Sequence, residues 1–189
     1  HQVAFAKNRL KAKGLKGRVW RDRLQDFKVP KGARYDVAHC FVSTFKYIDS
    51  EAGAVSSLRR MAAALRPGGL LLLGLHLTDY KNSPPDHERW IGRKPGIRVV
   101  SDTWSAPADR KSRTEAMRTR MRITEKGKTR IEETLWDFRT YSPAELKALL
   151  AKVSSLKLVA CHDFHYDLSS TRKIDMEYSD VLLVLRRQA

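Results

Sequence analysis

The chain is short of acid, of cysteine and of long apolar runs. It carries 21 Asp and Glu against 37 Lys and Arg, a formal net charge of +16. An excess of that size suits a protein that meets nucleic acid or another polyanion, and is unusual for an enzyme acting on small molecules. The cations are nevertheless spread over the N-terminal helix, the middle segment and the C-terminus, with acids interleaved, so a solvated basic surface is the simpler reading. The two cysteines, Cys40 and Cys161, form no disulfide framework and fit no zinc spacing. Both lie in apolar, strand-like runs and are expected as buried thiols; no metal site is expected. No apolar stretch approaches the roughly 20 residues that span a bilayer. The run at 70–77 is far shorter and carries Gly74 and His76. The first residues lack the charged start, long apolar centre and small-residue cleavage site of a secretory signal, so a cytoplasmic location is expected, without a membrane partner.

A chain of 189 residues buries one sizeable core, and one domain is the expectation. Its most informative stretch is Leu65-Arg66-Pro67-Gly68-Gly69-Leu70-Leu71-Leu72-Leu73, which closes an amphipathic helix and opens an apolar strand within two residues. Residues 35–41 read as a preceding strand, introduced by the turn residues Pro30, Lys31 and Gly32. Asp49 or Ser50 can cap the intervening helix, in which Val55, Leu58, Met61, Ala62 and Leu65 recur at helical spacing. The strand at 70–77 lacks polar alternation, as a parallel strand covered on both faces does.

After Tyr80 the pattern changes. A loop containing Pro84, Pro85 and Pro95 leads to residues 117–123, where Met117, Thr119, Met121 and Ile123 alternate with Arg118, Arg120 and Arg122. That is a half-buried antiparallel strand. Lys126-Gly127 supplies a turn, and residues 130–138 return with Glu132 and Glu133 placed to meet the arginines. Residues 97–104 add a third strand. Ser142-Pro143-Ala144-Glu145 is a capping box that opens a helix to about Val153. Residues 156–162 and 180–185 supply two last strands. Towards the N-terminus, residues 3–15 read as a helix with Val3, Ala6 and Leu10 on one face and Gly14 as its cap, and 17–21 as a weak strand.

Several segments resemble class I S-adenosylmethionine-dependent methyltransferases of the small-molecule type. Tyr35-Asp36-Val37 with Cys40-Phe41-Val42-Ser43-Thr44-Phe45 and Tyr47 is similar to their fourth strand and following loop, Leu65-Arg66-Pro67-Gly68-Gly69 to their helix-to-fifth-strand corner, and Arg139-Thr140-Tyr141-Ser142-Pro143-Ala144-Glu145-Leu146 to the segment that re-enters the core after an antiparallel insertion. The resemblance implies a Rossmann-like α/β sheet of order 3-2-1-4-5-7-6, of which this chain holds a part. Residues 1–80 would form a partial core, 81–140 an antiparallel β insertion and 141–189 the rest of the core. It implies S-adenosyl-L-methionine as cofactor and a small-molecule acceptor. The family's acidic glycine-rich loop after the first strand has no counterpart in this sequence, and the resemblance places the ribose-binding acid just before His1. An N-terminally truncated domain that binds cofactor weakly, with an exposed apolar strand edge, is therefore expected.

Trp20 to Phe27 resembles the third strand and its adenine-contacting turn, which nominates Asp22, Arg23 and Leu24 for the cofactor, although Arg23 stands where the family usually has aspartate. Ligands of open α/β sheets lie at the carboxyl ends of the strands. That rule nominates Cys40, Phe41 and Val42 for the cofactor, and His76 as a general base for an amine or hydroxyl acceptor. Phe45, Tyr47, Trp104 and Tyr141 are candidates for the walls of the acceptor pocket. A non-catalytic, basic RNA-binding or interaction module is the alternative, and oligomeric state is left open.

Overall fold

Ser50 starts the central helix. In the computed structural model, which describes residues 1–29, 31–32, 34–165 and 167–189, its Oγ accepts from Gly53 N at 3.1 Å at the head of α2 (Glu51–Ala64). Pro30 lies outside the described residues. Ala54, Leu58, Met61 and Ala62 of α2 are buried along one side, as their spacing requires. The chain then passes straight into β2 (Leu65–His76). The corner needs its glycines. Gly68 sits at φ +79°, and a Cβ on Gly69 would lie 2.9 Å from the Arg66 carbonyl and 3.1 Å from those of Tyr35 and Asp36.

β1 (Tyr35–Cys40) pairs parallel with β2; β2 pairs antiparallel with β8 (Asp180–Arg187), and β8 antiparallel with β7 (Leu156–His162). The sheet order is β1-β2-β8-β7. Leu71, Leu73 and Leu75 of β2 and Val181, Leu183 and Leu185 of β8 are fully buried, joined in one core by α2 and by Leu146 and Leu149 of α3 (Pro143–Ala151). Each such leucine contributes about 1.5–3 kcal/mol by leaving water. Coverage on both faces is not found: Leu70 and Leu72 on the other face stay half-exposed. The expected capping box is formed, with Ser142 N donating to Glu145 Oε2 at 2.7 Å and Glu145 N to Ser142 Oγ at 3.4 Å.

β1 is an edge strand with Tyr35 and Val37 exposed, Val37 by 52 %. No strand forms at 17–21; residues 15–23 are irregular, and the free edge of β1 gains no partner among the described residues. α1 (Gln2–Ala12) buries no residue fully, but Val3, Ala6 and Leu10 are its more covered side. Gly14 at φ +64° ends it in a Schellman motif, with Leu15 N donating to Leu10 O and Gly14 N to Lys11 O.

The middle of the chain is a separate antiparallel sheet of four strands, not three. β3 (Asp86–Lys94), β4 (Ile97–Ser105), β5 (Thr114–Glu125) and β6 (Lys128–Arg139) pair in that order. β3 falls in the stretch read as loop. Every residue in it is exposed, so it shows no hydrophobic alternation, and cross-strand backbone pairing with β4 alone defines it. Glu133 meets Arg118 and Arg120 at 2.8 and 3.0 Å. Glu132 lies on the opposite face and pairs with Arg130 at 2.9 Å.

Candidate active site

The carboxyl ends of β1 and β2 open into a cleft of about 780 Å³ roofed by the inner face of the antiparallel sheet. Its floor is the turn after β1 and the segment after β2, including Val42, Ser43, Tyr47 and residues 76–79; its roof includes Asp86, Glu88, Thr103, Glu115, Met117, Trp136 and Phe138. The turn is strained. Val42 and Ser43 both have positive φ, +53° and +56°, a conformation that a β-branched valine strongly disfavours. β2 holds it in place: Ser43 N donates to Gly74 O at 3.2 Å, and Ser43 Oγ accepts from His76 N at 3.2 Å.

His76 stands at the cleft wall with Nδ1 bonded to Asp180 Oδ1 on β8. An ionised carboxylate only accepts, so this contact puts the imidazole proton on Nδ1 and leaves the Nε2 lone pair free. Tyr47 is 56 % exposed at the same cleft, packed edge-on against Phe138 at 4.8 Å. Val42, at 76 % exposure, is part of its rim.

Other nominated residues lie elsewhere. Phe45 and Tyr141 are wholly buried and pack on each other at 6.0 Å; they are core, not pocket wall. Trp104 points to the outer face of the antiparallel sheet, stacked on His87 at 4.9 Å, while its neighbours Thr103 and Ser105 face the cleft. Strand parity, one residue out, explains the miss. Cys40 is buried, and burial pushes its thiol up to about 11, so it is no nucleophile at neutral pH. Phe41 stacks on His39 at 4.7 Å beside β2. Asp22 caps a turn, accepting from Arg23 N and Lys28 N at 3.0 and 3.3 Å. Arg23 is exposed, and Leu24 packs against the edge of the core; neither lines the cleft.

Charge is what the sequence reading missed. Four carboxylates, Asp79, Asp86, Glu88 and Glu115, line the cleft against one lysine, Lys46, in a chain of net charge +16. Lys46 is only 3 % exposed. It meets Glu115 at 3.3 Å and lies 5.0 Å above the Phe138 ring. Burial holds its ammonium below the ordinary lysine range, and Glu115 opposes that effect. With Glu115 so engaged, Asp79, Asp86 and Glu88 are left with no cationic partner among the described residues. Their carboxylates accept instead from neutral donors, Lys81 N, His87 N and Trp90 Nε1. No signal along the chain brings these acids together; only the pairing of the insertion over the core does.

No family model and no curated protein matches the chain. Solved structures do. An S-adenosylmethionine-dependent methyltransferase from Clostridium acetobutylicum ATCC 824 superposes with a TM-score of 0.75 at 12 % identity over 98 % of this chain and 71 % of its own. The sugar N-methyltransferase KedS8 from Streptoalloteichus sp. ATCC 53650 gives 0.74 at 16 % identity over 99 % and 67 %. CalS10, an amino pentose methyltransferase from Micromonospora echinaspora solved with S-adenosylmethionine bound, gives 0.65 at 16 % over 88 % and 63 %. The chain has the fold of the class I S-adenosylmethionine-dependent methyltransferases. It spans about two thirds of the length of these methyltransferases. Its core sheet, β1-β2-β8-β7, is the 4-5-7-6 run of the methyltransferase order, and the antiparallel sheet is inserted between the fifth and sixth strands of that run. No helix among the described residues is long and apolar enough to cross a membrane.

Proposed function

We propose that this chain builds the acceptor side of an S-adenosylmethionine-dependent methyltransferase site, and that the acceptor is a small molecule carrying an amine. The reading is carried by the acidic cleft at the carboxyl ends of β1 and β2. Three carboxylates without cationic partners, inside a strongly basic protein, attract a cationic acceptor and repel an anionic one. A cleft of about 780 Å³ has the size of a small-molecule pocket.

The residues fit the cofactor on one flank only. The strained turn at Val42 and Ser43 and residues 76–79 offer a wall for it. Asp22 is engaged in its own turn, no Gly-x-Gly-x-Gly occurs in the sequence, and the free side of β1 carries no described strand. S-adenosylmethionine, when bound, supplies an electrophilic methyl group. This chain's own part is to hold the acceptor amine among Asp79, Asp86 and Glu88, to exclude water with the roof of Met117, Trp136 and Phe138, and to take a proton. The amine must shed one proton to expose its lone pair. His76 Nε2 accepts it, and Asp180 keeps the imidazole in the required tautomer and stabilises the imidazolium that results.

The test is methyl transfer from tritiated S-adenosylmethionine, at millimolar concentration, to glucosamine and to glucose. Label on glucosamine alone is expected, reduced at least 100-fold in the His76→Gln variant. Label on glucose alone would overturn the charge argument, and label on neither would overturn the acceptor-side reading.

A further inference from the structure

The antiparallel sheet has a second end, away from the cleft, and that end is basic. Residues 91–98 and 122–131 form the paired tips of the two hairpins, tied together by Lys126 N donating to Gly96 O at 3.1 Å. These stretches hold seven cations, Arg93, Lys94, Arg98, Arg122, Lys126, Lys128 and Arg130, and one acid, Glu125. Arg130 is satisfied by Glu125 and Glu132. The other six are exposed and have no acidic partner among the described residues.

Their placement runs against folding stability. Arg93 and Arg98 are directly opposite in the β3–β4 register, and Arg122 on β5 is the diagonal neighbour of Arg98 in the β4–β5 register, on the same face. Like charges so placed destabilise a sheet. Further along the same face, towards the core, Arg118 and Arg120 share Glu133, and Arg89 pairs with Asp102 at 2.6 Å. Compensation therefore stops where the tip begins. Arg122 is five residues along β5 from Met117 at the cleft, about 17 Å, so the tip does not belong to the acceptor site.

We infer that this paired hairpin tip docks on the phosphate backbone of a nucleic acid. Guanidinium forks match phosphate oxygens, and a two-stranded ribbon fits a duplex groove. An anionic membrane is the less suited partner. The apices, Pro95-Gly96 and Lys126-Gly127, carry no large apolar side chain to enter a bilayer, which peripheral membrane binding uses beside charge, and the exposed Ile91 and Ile131 stand back from them along the strands.

The test is fluorescence anisotropy with a labelled 20-base-pair DNA duplex and a labelled 20-nucleotide RNA, titrated from 50 to 200 mM salt. The unmodified chain should bind at least one of them, with affinity falling steeply as salt rises. The Arg93→Ala/Arg98→Ala/Arg122→Ala variant should bind at least tenfold more weakly at 100 mM salt. Its log–log salt slope on duplex should be shallower by about 2–3. Should that variant not fold, Lys126→Glu/Lys128→Glu in the exposed turn reads the same effect. A control, Lys7→Ala/Lys11→Ala/Lys13→Ala on α1 and at its C-terminal cap, should bind like the unmodified chain. Equal weakening in the control would overturn the inference in favour of diffuse charge. No binding to either probe would overturn it, as would tip-dependent pelleting with phosphatidylserine vesicles and no nucleic-acid binding.

Discussion

Removing the Glu115 carboxylate should destabilise this protein far more than removing the ammonium it faces. Lys46 has a side chain only 4 % exposed, against 20 % for Glu115. In Glu115→Ala the ammonium stays buried over Phe138 with no bonded counter-charge, and only the more distant Asp180 carboxylate still favours it. Breaking a buried pair from one side costs about 3–5 kcal/mol; because water already reaches Glu115, about 2–3 kcal/mol is the expectation. For a chain of this size that lowers Tm by roughly 5–10 °C. Lys46→Met keeps an apolar stem of similar length against Phe138 and lets Glu115 turn to solvent, so its cost should stay under about 1 kcal/mol. Lys46→Met/Glu115→Ala should recover most of the loss, a coupling of more than about 1 kcal/mol in a double-mutant cycle. The pH dependence follows in sign. The folded-state pKa of Lys46 lies below its unfolded value, so between the two the unfolded chain holds more protons and stability rises with pH. The Glu115→Ala deficit should therefore shrink from neutral pH towards about 10. Urea unfolding at several pH values measures all of this. A Glu115→Ala variant no less stable than Lys46→Met would refute the reasoning.

Val42→Gly should stabilise the fold by about 1 kcal/mol, since glycine adopts the φ of +53° without strain; thermal unfolding checks it, and a lower Tm would show that the valine side chain packs usefully. Glu51 joins Arg113, Arg139 and Lys152 at 3.0, 3.0 and 2.9 Å. Burial alone would raise its carboxyl, but the bonds from Lys152 and Arg139 and the nearby Arg113 take it below the ordinary range. Its stabilisation is therefore present above about pH 4.3 and is lost as pH falls through the lower folded value. Glu51→Gln should be less stable than the unmodified chain at pH 6, and the gap should narrow as pH falls below about 4.3 in denaturant titrations.

Much of the core was legible because local rules agree there. The Ser142 capping box, the Pro-Gly-Gly corner and the α2 periodicity each name one element by one mechanism, and the structure contains all three. β3 was not legible, because an all-exposed edge strand has no hydrophobic period to read. The site was half legible. The ends of β1 and β2 follow from the general rule for open sheets, and His76 and Tyr47 are at the cleft. Lys46, Glu115, Asp86 and Glu88 reach it from three separate stretches of chain, Asp180 reaches His76 from a fourth, and only the docking of one sheet over the other assembles the cleft. Tyr141 and Phe45 looked like pocket walls because aromatic residues near strand ends serve either purpose, and burial alone decides between them.

The most direct test of the acceptor-side account is chemical-shift mapping of the isotopically labelled chain with S-adenosylhomocysteine, then with glucosamine. The account predicts weak, millimolar binding, with S-adenosylhomocysteine shifting residues 41–47 and 76–79 and glucosamine shifting 79, 86 and 88 across the same cleft. Shifts confined to other surfaces, or none with either ligand at 10 mM, on the order of the weakest affinities that matter here, would contradict it.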